Sequence, residues 1–202
     1  PTYAKKIVAY FGDATLDILE LNPSRLKEIP GIGKKKLEAI ALSYEKQKEI
    51  KDILLFLSGY QISTAYALKI YKRYGKDSRQ KVTQDPYQLA EDVPGIGFAI
   101  ADRIALQMGF DENSRERCKA ALLYRLKEKS RQGHVFMERE ALLKDGISLI
   151  GASEDLMESA LDRLILEKRV VLEENDVAGV YLPSLSEAEN GIVQELQRLQ
   201  GI

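Results

Sequence analysis

The sequence predicts a mainly α-helical chain in which two copies of one helical module precede a winged-helix-like domain with a small β-hairpin. A repeat at an offset of 63 residues indicates the duplication, because AKKIVAYFG at residues 4–12 is matched by ALKIYKRYG at residues 67–75. Apolar residues follow helical spacing along both copies. Strand-like character is concentrated in RVVLEENDVAGVYL, at residues 169–182.

The duplication continues into a glycine turn. Asn22-Pro23 matches Asp85-Pro86 at the same offset, and EIPGIG matches DVPGIG after one inserted residue. Asn or Asp before Pro predicts a capped helix start, and the following Pro-Gly predicts the end of that short helix. We therefore predict four segments: a first module at residues 1–50, a second at 51–112, the winged-helix-like domain at 113–183, and a last helix at 184–202.

The first PGIG turn has the composition of an anion site. Gly31 and Gly33 lack a Cβ, so a ligand can approach the backbone, and their N–H groups lie at the start of the next helix, which favours negative charge. Ile32 is expected to turn inward. Lys34, Lys35 and Lys36 are expected on the first helical turn, within reach of a bound phosphate. A site of this kind holds a nucleic-acid backbone without distinguishing its bases.

The second turn has the glycines but not the lysines. Gly95, Ile96 and Gly97 repeat the pattern, whereas Phe98-Ala99-Ile100 follow it and the first cation is Arg103. This turn either contacts phosphate through its amides, with Arg103 nearby, or only packs.

Between the copies, the sequence Gln61-Ile62-Ser63-Thr64 takes the place of a further turn without glycines, and Ser63 or Thr64 is expected to cap the next helix. Tyr66, Tyr71 and Tyr74 on that helix either stack on bases or are partly buried.

The turns and their order resemble those of a known family. An apolar residue, PGIG and then basic residues resemble the helix-hairpin-helix motif. The whole set of motifs resembles the N-terminal region of RecD-like ATP-dependent DNA helicases, also described as exodeoxyribonuclease V alpha subunits. The motifs that carry this resemblance are NPSRLKEIPGIGKKK, GYQISTAYALKIYKRYG, DPYQLAEDVPGIGFAIADRIA and GHVFMEREALL. Residues 1–12 resemble the second helix of a further hairpin, whose turn would precede Pro1.

The resemblance implies an accessory region of a helicase that unwinds DNA in the 5′-to-3′ direction during repair and recombination. The implied partners are DNA, single-stranded or at a junction, and the motor domains of the whole protein, which would require ATP and Mg²⁺. This sequence contains no G-x-x-x-x-G-K-[ST] motif, and GIGKKK has the wrong spacing for one. We therefore expect no catalytic residue and no cofactor in this chain.

The charge is unevenly distributed. Residues 1–79 contain fifteen Lys and Arg against nine Asp and Glu, although the whole chain has a formal net charge of −1. A basic half is an indication of nucleic-acid binding. A single cysteine and a single histidine exclude a disulfide and a His/Cys zinc site within these residues, and we expect a cytoplasmic protein without a membrane span.

The C-terminal part has a different pattern. Helices are expected at residues 120–129, 138–143 and 154–168, with a short strand at 134–136 and a hairpin turn at Glu174-Asn175-Asp176. The candidate recognition helix is acidic, so we expect this domain to pack against a neighbour rather than to bind DNA. His134 is expected to start a strand or cap a helix. The last helix is expected to expose Ile192, Leu196 and Leu199.

Two alternatives to a DNA-binding region remain open from the sequence. The chain could be a protein-interaction module of a repair complex in which the PGIG turns are only structural. A glycosylase-type enzyme is disfavoured, because the iron-sulfur cluster common in such enzymes needs several cysteines and no pocket pattern is evident.

Overall fold

A computed structural model of the chain describes residues 2–174 and 177–200. The chain forms two compact units, residues 1–80 and 81–202. None of the helices in the described residues has the length and apolar character that crossing a membrane requires. The helices are α1 (Thr2–Phe11), α2 (Thr15–Leu21), α3 (Lys34–Ser58), α4 (Thr64–Tyr74), α5 (Ser78–Gln84), α6 (Leu89–Asp92), α7 (Phe98–Gln107), α8 (Arg115–Arg131), α9 (Arg139–Ile150), α10 (Glu154–Leu166) and α11 (Pro183–Gln200), and the strands are β1 (Phe136–Glu138), β2 (Val171–Glu174) and β3 (Ala178–Tyr181).

The N-terminal part of the first unit is built around a small apolar core. Buried side chains come from α1, from α2, from the 3₁₀ helix Pro23–Glu28 and from the turn that follows it: Ile7, Ile18, Leu26, Ile29 and Ile32. Leu37 and Ile40 of α3 pack against this core, as their helical spacing predicts. The core therefore fixes the first glycine turn and the start of α3 together.

The repeat seen in the sequence is also a repeat of structure. α1 and α4 both end at a glycine with positive φ, +54° at Gly12 and +57° at Gly75. A short 3₁₀ helix follows each glycine, and a hydroxyl then donates back to the glycine carbonyl, from Thr15 at 2.7 Å and from Ser78 at 2.5 Å. The mainly α-helical duplicated module is thereby confirmed.

The end of the second unit has the order of a winged helix, with α8, β1, α9 and α10 followed by β2 and β3. The strands form an antiparallel sheet in the order β1-β3-β2, in which Val180 lies opposite both Met137 and Leu172. The core between helices and sheet is fully apolar at its centre: Leu122, Leu142, Met157, Leu161, Leu164 and Val180. The predicted winged-helix-like architecture is confirmed.

Two predicted caps differ in outcome. Asp85 accepts hydrogen bonds from the N–H groups of Tyr87 and Gln88, at 3.0 and 3.3 Å, and so caps its helix as predicted. Asn22 makes no such bond to the backbone of the helix that follows it, because its Oδ1 instead accepts from the hydroxyl of Ser24. The prediction that Asn22 caps the next helix is wrong.

The first strand of the winged helix begins later than predicted. The His134 N–H donates to the Lys129 carbonyl at 3.2 Å, so this residue closes the end of α8. The ladder with β3 pairs only residues Phe136–Glu138. In contrast, the helix predicted at residues 138–143 continues to Ile150, and Gly146 in its middle is buried against Leu122 and Met157.

α3 is the longest helix in the described residues. It runs without a break across residues 50 and 51, the predicted boundary between the first two segments, because no Gly or Pro interrupts residues 34–58. At the predicted hairpin tip, Glu174 ends β2, and Asn175 and Asp176 lie outside the described residues.

Candidate nucleic-acid interface

The first glycine turn places two exposed glycines around one buried isoleucine. Gly31 has φ of +91°, in the region that favours glycine, and Gly33 is extended, with φ of −84° and ψ of 179°. Ile32 between them is only 4% exposed, and its N–H donates to the Ile29 carbonyl at 3.1 Å. The predicted inward direction of Ile32 is confirmed.

The amides at the start of α3 are free to bind a ligand. The first N–H groups of a helix have no partner within the helix. Among the described residues, no carbonyl or side chain accepts from the N–H of Gly33, Lys34 or Lys35. A Cβ built on Gly33 would meet no heavy atom within 4 Å. The protein itself therefore leaves this corner open, and an anion can approach the backbone directly.

The three lysines after the turn have different environments. Lys34 and Lys35 are exposed, and neither forms an ion pair or side-chain hydrogen bond within the described residues. Lys36 turns back: its Nζ donates to the Gly31 carbonyl at 2.9 Å and to the Tyr3 hydroxyl, and it lies 4.6 Å from the centre of the Tyr3 ring. This hydrogen bond lowers the pKa of Tyr3. Lys36 thus stabilises the turn, and Lys34 and Lys35 extend toward solvent.

A further cation near this turn comes from α1. Lys6, Ala9 and Tyr10 line a shallow groove of about 350 Å³ together with Ile29 and Pro30. Lys6 was not among the residues singled out from the sequence, because it precedes the turn by more than twenty positions. Lys6 lies near the turn only because the folded chain packs α1 beside Pro30.

The second glycine turn has the same backbone conformation as the first. Gly95 has φ of +84°, and Gly97 is extended, with φ of −95° and ψ of 179°. Ile96 is 3% exposed, and its N–H donates to the Val93 carbonyl at 3.0 Å. Both glycines are exposed, and a Cβ on Gly97 would meet nothing within 4 Å. The two PGIG turns are therefore structural equivalents.

The side chains that follow the second turn differ from those of the first. Phe98, at the position of Lys34, is buried between Tyr87 and Tyr124, with ring centroids 6.3 and 5.6 Å away. Arg103 is exposed further along α7 and is not among the residues that line the cleft beside the turn. The structure therefore does not bring Arg103 to the glycine amides.

The turn between α3 and α4 has the same conformation without glycine. Gln61 has φ of +55°, Ile62 is 5% exposed, and Ser63 is extended. Ser63 Oγ accepts from the Tyr66 N–H at 3.4 Å, so Ser63 is the helix cap. Ser63 thus binds an amide of the following helix with its own side chain, whereas Gly33 and Gly97 at the equivalent positions have no side chain to do so.

The tyrosines of α4 are partly buried. The Tyr71 hydroxyl donates to Glu49 of α3 at 3.1 Å, and burial together with this carboxylate raises the pKa of Tyr71. Of the two roles considered for these tyrosines, packing has direct structural support.

Known proteins similar to this chain contain helix-hairpin-helix domains. The family described as the HHH domain of the ATP-dependent RecD2 DNA helicase matches residues 46–136, and a SAM-like helix-hairpin-helix tandem matches residues 1–46. Residues 46–136 are thus similar to the HHH domain of RecD2 helicases, and residues 1–46 are similar to helix-hairpin-helix tandems in general. The ATP-dependent RecD2 DNA helicase of Deinococcus radiodurans is 31% identical over 137 residues, which cover 67% of this chain and 19% of the relative.

The first glycine turn lies in the part that matches the helix-hairpin-helix tandem, and the other two turns lie in the part that matches the RecD2 HHH domain. The similarity of residues 46–136 is to the HHH domain of a helicase and not to a motor domain, which supports an accessory region of a helicase. The chain spans about a fifth of the length of the curated relative that it matches.

Proposed function

We propose that this region binds DNA through the phosphate backbone, without sequence preference, as the accessory region of a RecD2-like helicase. The observation that supports this most directly is the exposed corner at residues 30–36. There, unpaired amides at the start of α3 adjoin the ammonium groups of Lys34 and Lys35. Helix N-termini and cations together form an anion site.

The proposed contact is to phosphate rather than to bases. Neither PGIG turn itself contains a polar side chain, because the residues between the glycines are buried isoleucines, and the exposed groups that remain are backbone amides, which contact phosphate. The contact is therefore expected to be strongly dependent on salt, because each neutralised phosphate releases counterions. Single-stranded and duplex DNA both present this backbone.

The proposed role in the whole protein rests on the relative's name, an ATP-dependent DNA helicase, and on the resemblance of the sequence motifs to RecD-like helicases. A RecD2-like helicase would unwind DNA in the 5′-to-3′ direction in repair or recombination, with ATP and Mg²⁺ bound by its motor domains. The accessory region would hold DNA next to that motor. The last helix supports a contact with another domain, because its apolar residues Ile192, Leu196 and Leu199 are 61%, 53% and 77% exposed.

The test is fluorescence anisotropy with labelled single-stranded and duplex oligonucleotides of two unrelated sequences, each titrated at about 50 and 200 mM salt. We expect equal affinities for the two sequences and a marked loss at the higher salt. The double variant Lys34→Glu/Lys35→Glu should reduce the salt slope by about 2, roughly one per lost phosphate contact. Lys46→Glu is the matched control, on the same helix and about 18 Å further along it.

A second variant tests whether DNA approaches the backbone of the turn closely, without changing any charge. Gly33→Ala adds one methyl group to an extended residue with open space around it, so the fold should be unchanged. If DNA lies against this amide, the methyl group should weaken binding roughly tenfold, or about 1.4 kcal/mol. Unchanged binding by both this variant and Lys34→Glu/Lys35→Glu would exclude the corner and favour an interaction module in which the turns are structural.

A further inference from the structure

The second turn is not followed by lysines as the first turn is, and the packing of the second unit accounts for this difference. The first residue of α7 is Phe98, which stacks on Tyr124 of α8 with the rings 25° from parallel. The equivalent residue of α3 is the exposed Lys34. Phe98 thus attaches α8 directly beside the second turn, where the first turn presents lysines to solvent.

The attached helix presents cations of its own to that turn. Tyr124, Lys127 and Arg131 follow one another at helical spacing and lie on one face of α8. All three line a cleft of about 380 Å³ whose opposite wall is the second turn, including Gly95 and Gly97. A ligand in this cleft would contact the glycine backbone on one side and the two cations on the other.

The charges around the cleft favour an anion. Glu91 also lines it, but Arg169 holds this carboxylate at 2.6 Å and Lys127 lies 3.4 Å from it. Two carboxylates, of Glu91 and Asp92, and two cations, of Lys127 and Arg131, line the cleft, and Arg169 beyond the lining balances the charge of Glu91. Arg131 is exposed at the end of α8 and forms no ion pair within the described residues.

We propose that Lys127 and Arg131 supply the cations of a second phosphate site, which holds a nucleic-acid backbone between α8 and the glycines of the second turn. This inference rests on the proposed function and extends it to a second point of contact. The cations of the two sites come from different places in the chain: from the helix that follows the turn at the first site, and from α8 at the second.

The test measures affinity and salt slope for a single-stranded oligonucleotide long enough to reach both turns. Lys127→Gln/Arg131→Gln should weaken binding roughly tenfold and reduce the slope by about 1.4, since each phosphate contact to a single strand contributes about 0.7. Arg131→Lys should retain most of the affinity, because it keeps the charge. Glu91→Gln should strengthen binding two- to threefold by removing a carboxylate from the cleft. Arg103→Gln and Lys144→Gln, exposed and outside the cleft, are the matched controls and should stay within about twofold of wild type.

The outcomes separate the two proposals. If wild type binds and Lys34→Glu/Lys35→Glu weakens it, but Lys127→Gln/Arg131→Gln behaves like the controls, the second site is overturned and the first stands. An effect of Arg103→Gln as large as that of Lys127→Gln/Arg131→Gln would also overturn the assignment to α8. A wild-type chain that fails to bind DNA at low salt would overturn both. Circular dichroism melting of each variant shows whether the fold is retained.

Discussion

Arg117 of α8 holds Asp102 of α7 through two parallel hydrogen bonds, from Nε to Oδ1 and from Nη2 to Oδ2, each 2.8 Å long. The two side chains are only 12% and 13% exposed. The Tyr87 hydroxyl donates to the same carboxylate at 3.1 Å, and burial raises the pKa of this tyrosine. The pair joins the helix after the second glycine turn to the first helix of the winged-helix domain.

Removing one partner of this pair should destabilise the second unit strongly. Asp102→Ala leaves a nearly buried guanidinium without its counter-charge, and we expect a loss of about 3 kcal/mol in the free energy of unfolding. Urea denaturation measures it. Lys144→Ala removes one partner of an exposed pair with Glu140 and should change the same quantity by about 0.5 kcal/mol or less. A loss below about 1 kcal/mol for Asp102→Ala would contradict the structural role.

The two glycines of the first turn should respond differently to alanine. Gly31 has positive φ, so Gly31→Ala should lower the free energy of unfolding by about 1–2 kcal/mol. Gly33 is extended in open space, and Gly33→Ala should leave stability unchanged or raise it by up to about 1 kcal/mol. The midpoint of urea denaturation distinguishes the variants, and equal losses would show that the turn conformation is not the one described.

The turn between α3 and α4 should become more stable with glycine. Gln61 has φ of +55°, which is unfavourable for a residue with a Cβ, so Gln61→Gly should raise the free energy of unfolding by about 0.5–1 kcal/mol. The control is Gln47→Gly, an exposed position within α3, where glycine should cost about 1 kcal/mol. Thermal melts of the two variants should shift in opposite directions, and a loss with Gln61→Gly would contradict the assigned conformation.

The carboxylate of Glu167 should make the free energy of unfolding depend on pH under acidic conditions. Glu167 accepts hydrogen bonds from Lys119 at 2.8 Å and Arg163 at 2.7 Å, and these lower its pKa. Because the folded pKa lies below the unfolded value of about 4.3, the stabilisation is complete above that pH and is lost as pH falls through the folded pKa. Urea denaturation between about pH 6 and pH 3 should show wild type losing its advantage over Glu167→Gln. A constant difference across this range would contradict the coupling.

Much of the fold could be predicted from local patterns. The 63-residue repeat, the Pro-Gly pairs and the helical spacing of apolar residues led to the duplicated module and to the inward-facing Ile32, because each depends on neighbours in the chain. The predicted ends of helices and strands were less accurate where two possible hydrogen-bond partners compete for one side chain or amide. Asn22 binds the Ser24 hydroxyl instead of the helix backbone, and the His134 amide closes α8 instead of joining β1.

The sequence by itself determined the duplicated turns, their glycine amides and the position of three lysines at the start of α3. Only the tertiary structure decided which charges are available there. Lys36 is held by Tyr3, 33 positions away, and Phe98 brings α8 with Lys127 and Arg131 beside the second turn. The physical reason is distance along the chain: backbone conformation at a turn follows from adjacent residues, whereas the charge around it depends on side chains that meet only when separate helices pack.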